Sequence, residues 1–332
     1  MTEVFLSIDP APDRDAARVA EGAGFDGVAV AELAHDPIVS IAAAAARTER
    51  VTLATAALVA FGRSPMTVAM QAADVQALSG GRFVLGLGTQ IKPHVELRYS
   101  MPWSAPAPRM REFVRALRAI WDSYATGARL AVRGEHYRHT LLPPAFVPER
   151  FAHGAPPVWI AGFGERMTAV AGEVGDGFLA HPFASARFLR EVSLPALEVG
   201  RRRGPVRDGF RVIASPLVGV GVTADEIGIA RDAVRRQLAF YGSTPAYSSA
   251  LELHGWGELG DLLNAKSRRG DWDAMTALVT DDVLDEFAAV GTPADVAKAL
   301  RARYDSDVDA LCLQLPAPPT AAALHELRAA LG

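Results

Sequence analysis

Ser79-Gly80-Gly81-Arg82-Phe83-Val84-Leu85-Gly86-Leu87-Gly88-Thr89 runs a turn, an apolar stretch and a cluster of small residues together without a gap. Paired glycines suit a turn that needs positive φ, and the apolar stretch suits a buried strand. Small residues at its end let a large flat ligand lie against the backbone. The helix that follows such a strand offers free N–H groups. The same unit closes again at Val30-Ala31-Glu32, Ala54-Thr55-Ala56 and Ala161-Gly162-Phe163-Gly164.

Working outward, strands are expected at Val4–Ile8, Gly27–Ala31, Val51–Ala57, Phe83–Gly88, Val158–Ala161, Phe178–Ala180, Val212–Val222 and Asp309–Leu315. Helices are expected between them at Arg14–Ala23, Pro37–Thr48, Ser64–Leu78, Arg109–Tyr124, Arg166–Val174, Phe188–Arg202, Ala224–Phe240 and Pro293–Tyr304. Strands alternating with helices pair in parallel through right-handed crossovers. The pattern predicts an α/β protein, a (β/α)8 TIM barrel forming one domain over 1–332, with its site at the strand C-termini. A doubly wound open sheet is the competing arrangement. Two segments stand outside the repeat. Arg129–His139 reads as a hairpin, and Gly242–Gly291 as a mostly helical insertion that serves as a lid or a subunit contact.

The chain has 332 residues, half of them hydrophobic, and a formal charge of −4. That balance argues against nucleic acid or an anionic membrane as partner. Met1-Thr2-Glu3-Val4 shows no secretory signal, and the apolar run Ile41–Ala46 is too short to span a bilayer. Cys312 is the single cysteine, which excludes an internal disulfide and a thiolate metal cluster. A cytoplasmic protein is expected.

No G-x-S-x-G, H-E-x-x-H or Walker loop occurs, and Gly86-Leu87-Gly88 and Gly162-Phe163-Gly164 lack the third glycine of a dinucleotide fingerprint. His136 and His139 fall on opposite faces of a hairpin strand, so no metal site is expected. Polar residues gather at strand ends instead. Glu32 either faces a ligand or braces the next helix, beside His35 and Asp36. Thr55-Ala56-Ala57 leaves room for a ring at the end of strand three, or is tight barrel packing. Gly88-Thr89-Gln90 with His94, Glu96 and Arg98 follows strand four. Gly162-Phe163-Gly164 precedes a helix whose amides suit a phosphate. Arg63, Arg109 and Arg166 stand at helix starts, where each either adds charge to an anion site or forms a salt bridge. Phe61, Trp103, Phe163 and Trp256 suggest an apolar mouth.

In order and spacing these residues resemble the bacterial luciferase-like flavin and deazaflavin oxidoreductase superfamily. The resemblance is carried by Gly24-Phe25-Asp26-Gly27-Val28, Arg63-Ser64-Pro65-Met66-Thr67, Leu78-Ser79-Gly80-Gly81-Arg82-Phe83, Gly86-Leu87-Gly88-Thr89 and Ala171-Gly172-Glu173-Val174-Gly175-Asp176-Gly177. Phe240-Tyr241-Gly242-Ser243-Thr244-Pro245, His254-Gly255-Trp256-Gly257 and Ser267-Arg268-Arg269-Gly270 are similar to its branch of probable coenzyme F420-dependent oxidoreductases.

The resemblance implies a TIM barrel with the cofactor ring over the strand C-termini and a non-proline cis peptide at Ala56-Ala57. It implies cofactor contacts from Glu32, Ala56, Ala57, Gly88, Thr89, Gln90, Ala161, Gly162, Phe163 and Gly164, the last three around the phosphate. Glu32 and His94 are the candidate catalytic residues, for moving a proton. The chain departs from many relatives in having Leu33 directly after the acid, with His35 two residues later. Coenzyme F420 with a small organic substrate is expected, in a homodimer. The alternatives are FMN in a two-component monooxygenase, and a barrel that binds cofactor without turnover.

Overall fold

The computed structural model describes residues 2–9, 11, 15–149, 151–304 and 306–332. Eight strands form its centre: β1 (Glu3–Ile8), β2 (Gly27–Val30), β3 (Thr52–Thr55), β4 (Phe83–Gly88), β5 (Val158–Gly162), β6 (Gly177–Ala180), β7 (Arg211–Ala214) and β8 (Ala310–Leu313). Each pairs in parallel with its sequence neighbours. β8 returns to β7 at Ile213↔Ala310 and to β1 at Phe5↔Cys312. The sheet therefore closes, as a TIM barrel does, and the open doubly wound alternative is excluded.

Phe5, Ala29, Ala54, Val84, Trp159, Leu179, Ile213, Ala310 and Cys312 pack together inside the barrel. Phe5 and Trp159 meet edge to face at 5.5 Å within this cluster. Two glycines make that possible. A Cβ on Gly27 would lie 2.2 Å from the Phe5 ring, and one on Gly177 would lie 2.5 Å from Trp159. Burying each ring contributes about 1.5–3 kcal/mol, so the plug supports the closed end while small residues leave the other end open. A larger core joins the outer strand faces to the surrounding helices through Leu53, Phe83, Leu85, Phe113 and Phe178, among others.

Several expected boundaries move. Val212–Val222 is two strands, because Pro216 cannot donate to the ladder. After β7 the chain resumes at Leu217–Val220, which pairs outside the barrel with Ala288–Gly291. The insertion is thus helical only as far as Phe287, through Ser248–Leu253, Gly257–Ser267, Trp272–Leu278 and Asp281–Phe287, and ends in a strand. The helix after β4 starts earlier than expected, at Pro106, and ends at Thr126. A C-terminal helix, Ala321–Leu331, was not expected. The hairpin is present as Val132–Arg133 against Arg138–His139. The expected start of the first helix, Arg14, lies outside the described residues, and the helix spans Ala16–Gly22. Among the described residues no helix is long and apolar enough to cross a membrane.

Candidate functional site

The end of β3 sets the site. Thr55 is fully buried, and its Oγ1 donates to Gly86 O at 2.8 Å and accepts from Gly86 N at 2.9 Å. Gly86 has to be glycine, because a Cβ there would sit 1.8 Å from Thr55 O. The Ala56–Ala57 peptide is cis, as the resemblance implies. Ala56 N donates to Val30 O at 2.7 Å, and pairing with β4 resumes at Leu58↔Leu87 and Val59↔Gly88. A Cβ on Gly88 would lie 3.2 Å from the Ala57 Cβ and 3.8 Å from the Ala161 Cβ. Ala57, Gly88 and Ala161 are therefore brought together as a floor of small residues.

Glu32 is buried at the end of β2 and its carboxylate is spoken for. It accepts from Val59 N at 2.7 Å, from Arg63 Nη1 at 2.8 and 2.9 Å, and from the Tyr99 hydroxyl at 2.7 Å. Arg63 reaches on to Asp36 Oδ2 at 2.7 Å, while Asp36 Oδ1 caps the helix Pro37–Ala45 by accepting from Ile38 N. Burial first, and the bond to Glu32 second, push the Tyr99 phenol up to about 12. This geometry makes Glu32 a brace for the loops after β2, β3 and β4. Tyr99 was not singled out in the sequence, where nothing local marks it.

In the β4 loop, Thr89 Oγ1 donates to Gln90 O at 3.0 Å, and Gln90 Oε1 accepts from Ile91 N at 3.0 Å. Gln90 has φ +60°, a left-handed conformation uncommon outside glycine and frequent at ligand sites. His94 lies in the helical turn His94–Arg98 with its side chain exposed, whereas Val95 beside it is fully buried. Arg98 ties this turn to the β2 loop by donating to Leu33 O.

Beyond β5, Gly164 is the N-cap of Glu165–Val174, with no side chain capping that helix. Thr168 is fully buried on its first turns and its Oγ1 has no hydrogen-bond partner. A Cβ on Gly162 would stand 3.3 Å from that oxygen. Phe163 stacks on Phe188, in the short helix Ala186–Phe188 after β6, at 4.7 Å and meets Tyr247 of the insertion edge-on at 4.9 Å. Arg166 is exposed.

His181, the first residue after β6, is the main group that sequence reasoning passed over. Its position at a strand end was the available signal. Its Nδ1 accepts from Phe183 N at 3.1 Å, which leaves the proton of the neutral ring on Nε2. Burial drives its pKa down to about 3. Tyr247, Tyr241 and Phe163 surround it at 4.2, 5.0 and 5.7 Å between ring centres. Strand alternation puts His181 on the same inward face as Leu179, and likewise puts Ser7, Ser215 and Gln314 above Phe5, Ile213 and Cys312. The mouth is therefore small and apolar on the β3–β5 side and polar but uncharged on the β6–β8 side. Of the aromatics expected there, Phe61 is fully buried and Trp256 stacks on His254 at 5.3 Å. Among the described residues no cluster of His, Cys, Asp and Glu could hold a metal ion.

A flat ring with a phosphate-bearing chain fits these residues. The floor carries no side chain beyond Cβ, and the uncapped helix and the orphaned Thr168 hydroxyl lie beside Gly162. The family model for luciferase-like monooxygenases matches residues 6–310. An uncharacterised protein of Mycobacterium tuberculosis is 49% identical over 296 residues, covering 89% of this chain and 87% of its own. The 5,10-methylenetetrahydromethanopterin reductase of Archaeoglobus fulgidus is 30% identical, covering 84% and 82% respectively. In fold, the coenzyme F420-dependent tetrahydromethanopterin reductase of Methanopyrus kandleri superposes with a TM-score of 0.82 at 21% identity, covering 98% of this chain and 97% of its own.

Proposed function

Because the chain belongs to the luciferase-like monooxygenase family, we propose that it is a coenzyme F420-dependent oxidoreductase that transfers a hydride between the deazaflavin and a small organic substrate. The observation that carries this reading is the side-chain-free floor of Ala57, Gly88 and Ala161 facing the uncharged polar wall of His181, Ser215 and Gln314. The reductase of Archaeoglobus fulgidus, similar over most of the chain, supports the deazaflavin as the ring.

When bound, the deazaflavin supplies two-electron hydride chemistry. Ala56, Ala57, Gly88 and Ala161 would hold the ring, Thr89 and Gln90 its polar edge, and Gly162, Phe163 and Gly164 with Thr168 the phosphate end. Glu32 orients the loops around the floor through Val59, Arg63 and Tyr99 and keeps its charge satisfied. His181 offers a fixed N–H from Nε2 to a substrate oxygen, and burial holds the imidazole neutral across the physiological range. Phe163, Tyr241 and Tyr247 pack around the imidazole, which is half-buried. His94 stays the candidate for exchanging the proton with solvent.

Fluorescence titration of the purified protein with coenzyme F420 and with FMN tests the reading. Saturable binding of the deazaflavin, with its oxidation or reduction by an alcohol, ketone or enone, is expected. Tight binding of reduced FMN with oxygen-dependent loss of substrate, and no response to the deazaflavin, overturns it. Binding without turnover across such a panel assigns the barrel to cofactor carriage instead.

A further inference from the structure

Arg63 is spent on Glu32 and Asp36, and Arg109 on the Tyr137 hydroxyl, Pro102 O and the face of Phe61. Arg82, just before β4, is spent on backbone carbonyls and the Thr48 hydroxyl. The arginines at the N-terminal end of β6 and β7 are not used up in this way. There the helix Leu194–Arg201 ends, the loop 202–210 follows, and Arg211 opens β7. A cavity of about 320 Å3 lies in this corner, lined by Arg201, Arg202, Arg207, Glu198 and Phe210 among others. Its size falls at the lower end of the range for small-molecule sites.

Counter-charge is short around the cavity. Arg207 donates from Nη1 to Oδ1 of Asp176, the residue before β6, at 3.3 Å. Arg118 already holds both oxygens of that carboxylate, at 2.9 and 3.0 Å, and Asp176 Oδ2 also accepts from Val158 N. One carboxylate thus serves two guanidiniums, and the Nε atoms of Arg207 and Arg118 are both sealed from solvent without a hydrogen-bond partner. Burial first, then the charge of Arg118, pushes the Arg207 pKa below its ordinary value. Glu173, next to Gly172 of the cavity wall, is likewise shared, by Arg111 and Arg115. Arg201 is exposed and lies over the Phe210 ring at 5.3 Å, and no carboxylate among the described residues pairs with it. Glu198 is engaged by Arg202 at 3.1 Å, and Asp208 of the same loop is exposed and outside the lining.

Helix ends explain only part of this charge. The negative end of Glu165–Val174 is met by Arg118, which donates to Val174 O, whereas Arg201 and Arg207 donate to no helix carbonyl. The walls are also fixed. A Cβ on Gly172 would lie 2.3 Å from Leu197 O and one on Gly204 2.1 Å from Glu173 O, so backbone touches backbone and the corner is preorganised. In a chain of net charge −4 this is a concentrated positive site with room for an occupant.

We propose that this cavity binds a small multivalent oxyanion, a phosphate or carboxylate ligand, through Arg201 and Arg207. Guanidinium forks match the paired oxygens of either group. Phe210 supplies an apolar wall beside the Arg201 guanidinium. The site lies at the end of the barrel opposite the small-residue floor, so it does not depend on the function proposed above.

Isothermal titration calorimetry of the whole protein at fixed ionic strength, with inorganic pyrophosphate and with citrate, tests the proposal. Saturable one-to-one binding of at least one probe is expected; pyrophosphate alone marks a phosphate ligand, and citrate alone a carboxylate. Arg207→Gln and Arg201→Gln should each weaken binding about tenfold or more, as loss of a charge-assisted bond does. Arg201→Gln breaks no hydrogen bond within the protein, so it decides the matter even if Arg207→Gln does not fold. Arg203→Gln removes the same charge from the same loop outside the lining, and should stay within about twofold of wild type because salt screens exposed charge. Thr168→Val removes the orphaned hydroxyl at the other end of the barrel and should leave the affinity unchanged. Absence of saturable binding, or unchanged affinity in Arg201→Gln, overturns the proposal. So does an equal loss in Arg203→Gln, which makes the effect general surface charge, and so does a loss confined to Thr168→Val, which puts the anion at the mouth.

Discussion

Arg63 Nη1 and Glu32 Oε2 meet at 2.8 Å with 13% and 5% of their side chains exposed. An ion pair this enclosed is costly to break from one side, because Arg63 is then left with the more exposed Asp36 as its counter-charge. Glu32→Ala should therefore destabilise the protein by roughly 3–5 kcal/mol, measured by urea unfolding. It also strands the Tyr99 hydroxyl and Val59 N. Adding Arg63→Ala to Glu32→Ala should cost much less than the two single changes summed, since the pair is one unit. Additive losses would mean that the bridge carries little.

Gly86 and Gly88 are neighbours on one strand and should respond in opposite ways. At Gly86 a methyl would meet Thr55 O at 1.8 Å, a backbone atom that cannot step aside. Gly86→Ala should cost more than the about 1–3 kcal/mol typical of overpacking. At Gly88, which is half-buried, the obstruction is a pair of side-chain methyls, the Ala57 Cβ at 3.2 Å and the Ala161 Cβ at 3.8 Å, and no backbone atom. Gly88→Val should leave the fold close to wild type and lower ring affinity at least tenfold, read by fluorescence titration. Unchanged affinity in that variant would remove the floor from the binding site.

These two glycines also show what the sequence could reveal. The Ser79-Gly80-Gly81 turn is legible because both glycines take positive φ, +64° and +89°, and the strand it feeds follows at once. The small residues at the ends of β3, β4 and β5 are legible because they recur at equivalent places. Long-range pairings are not. The Tyr99–Glu32 bond spans 67 positions, and no local pattern encodes it. Arg63 and Arg109 look alike in sequence and differ only in which distant side chains surround them. Pro216 was a visible signal that strand seven is interrupted. Ala288–Gly291 was not, because four apolar residues after a helix continue its pattern as well as they start a strand.

Arg82 ends the turn on the face opposite the site and joins three segments. It donates to Ser79 O, Thr48 Oγ1, Thr48 O, Val51 O and Ala45 O at 2.8–3.3 Å. Arg82→Ala should cost about 2–3 kcal/mol, the loss of several charge-assisted bonds to partly buried carbonyls. The N-terminal face of a barrel serves stability rather than chemistry. Ring affinity per folded molecule should therefore match wild type, and a fall in affinity would show that the turn communicates with the mouth.

His181 makes stability depend on pH in a direction that can be worked out. Burial lowers its folded pKa to about 3 from an ordinary 6.5. Between those values the unfolded chain binds a proton that the folded chain does not. Stability is therefore unaffected by this group above pH 6.5 and falls as the pH drops toward 3. The slope has an upper limit of about 1.4 kcal/mol per pH unit. His181→Gln lacks the titration and keeps a side-chain N–H donor. Urea unfolding of both proteins at pH 7, 5.5 and 4.5 should show wild type losing ground to the variant at each step down. The neutral ring also keeps its Nε2 proton over that range, so turnover that uses it as a donor should stay level from pH 7 to 5. Parallel stability curves would mean that the imidazole takes up a proton in the folded state near its ordinary pKa. Nε2 would then act as a proton donor with a titrating rate, rather than as a fixed hydrogen bond.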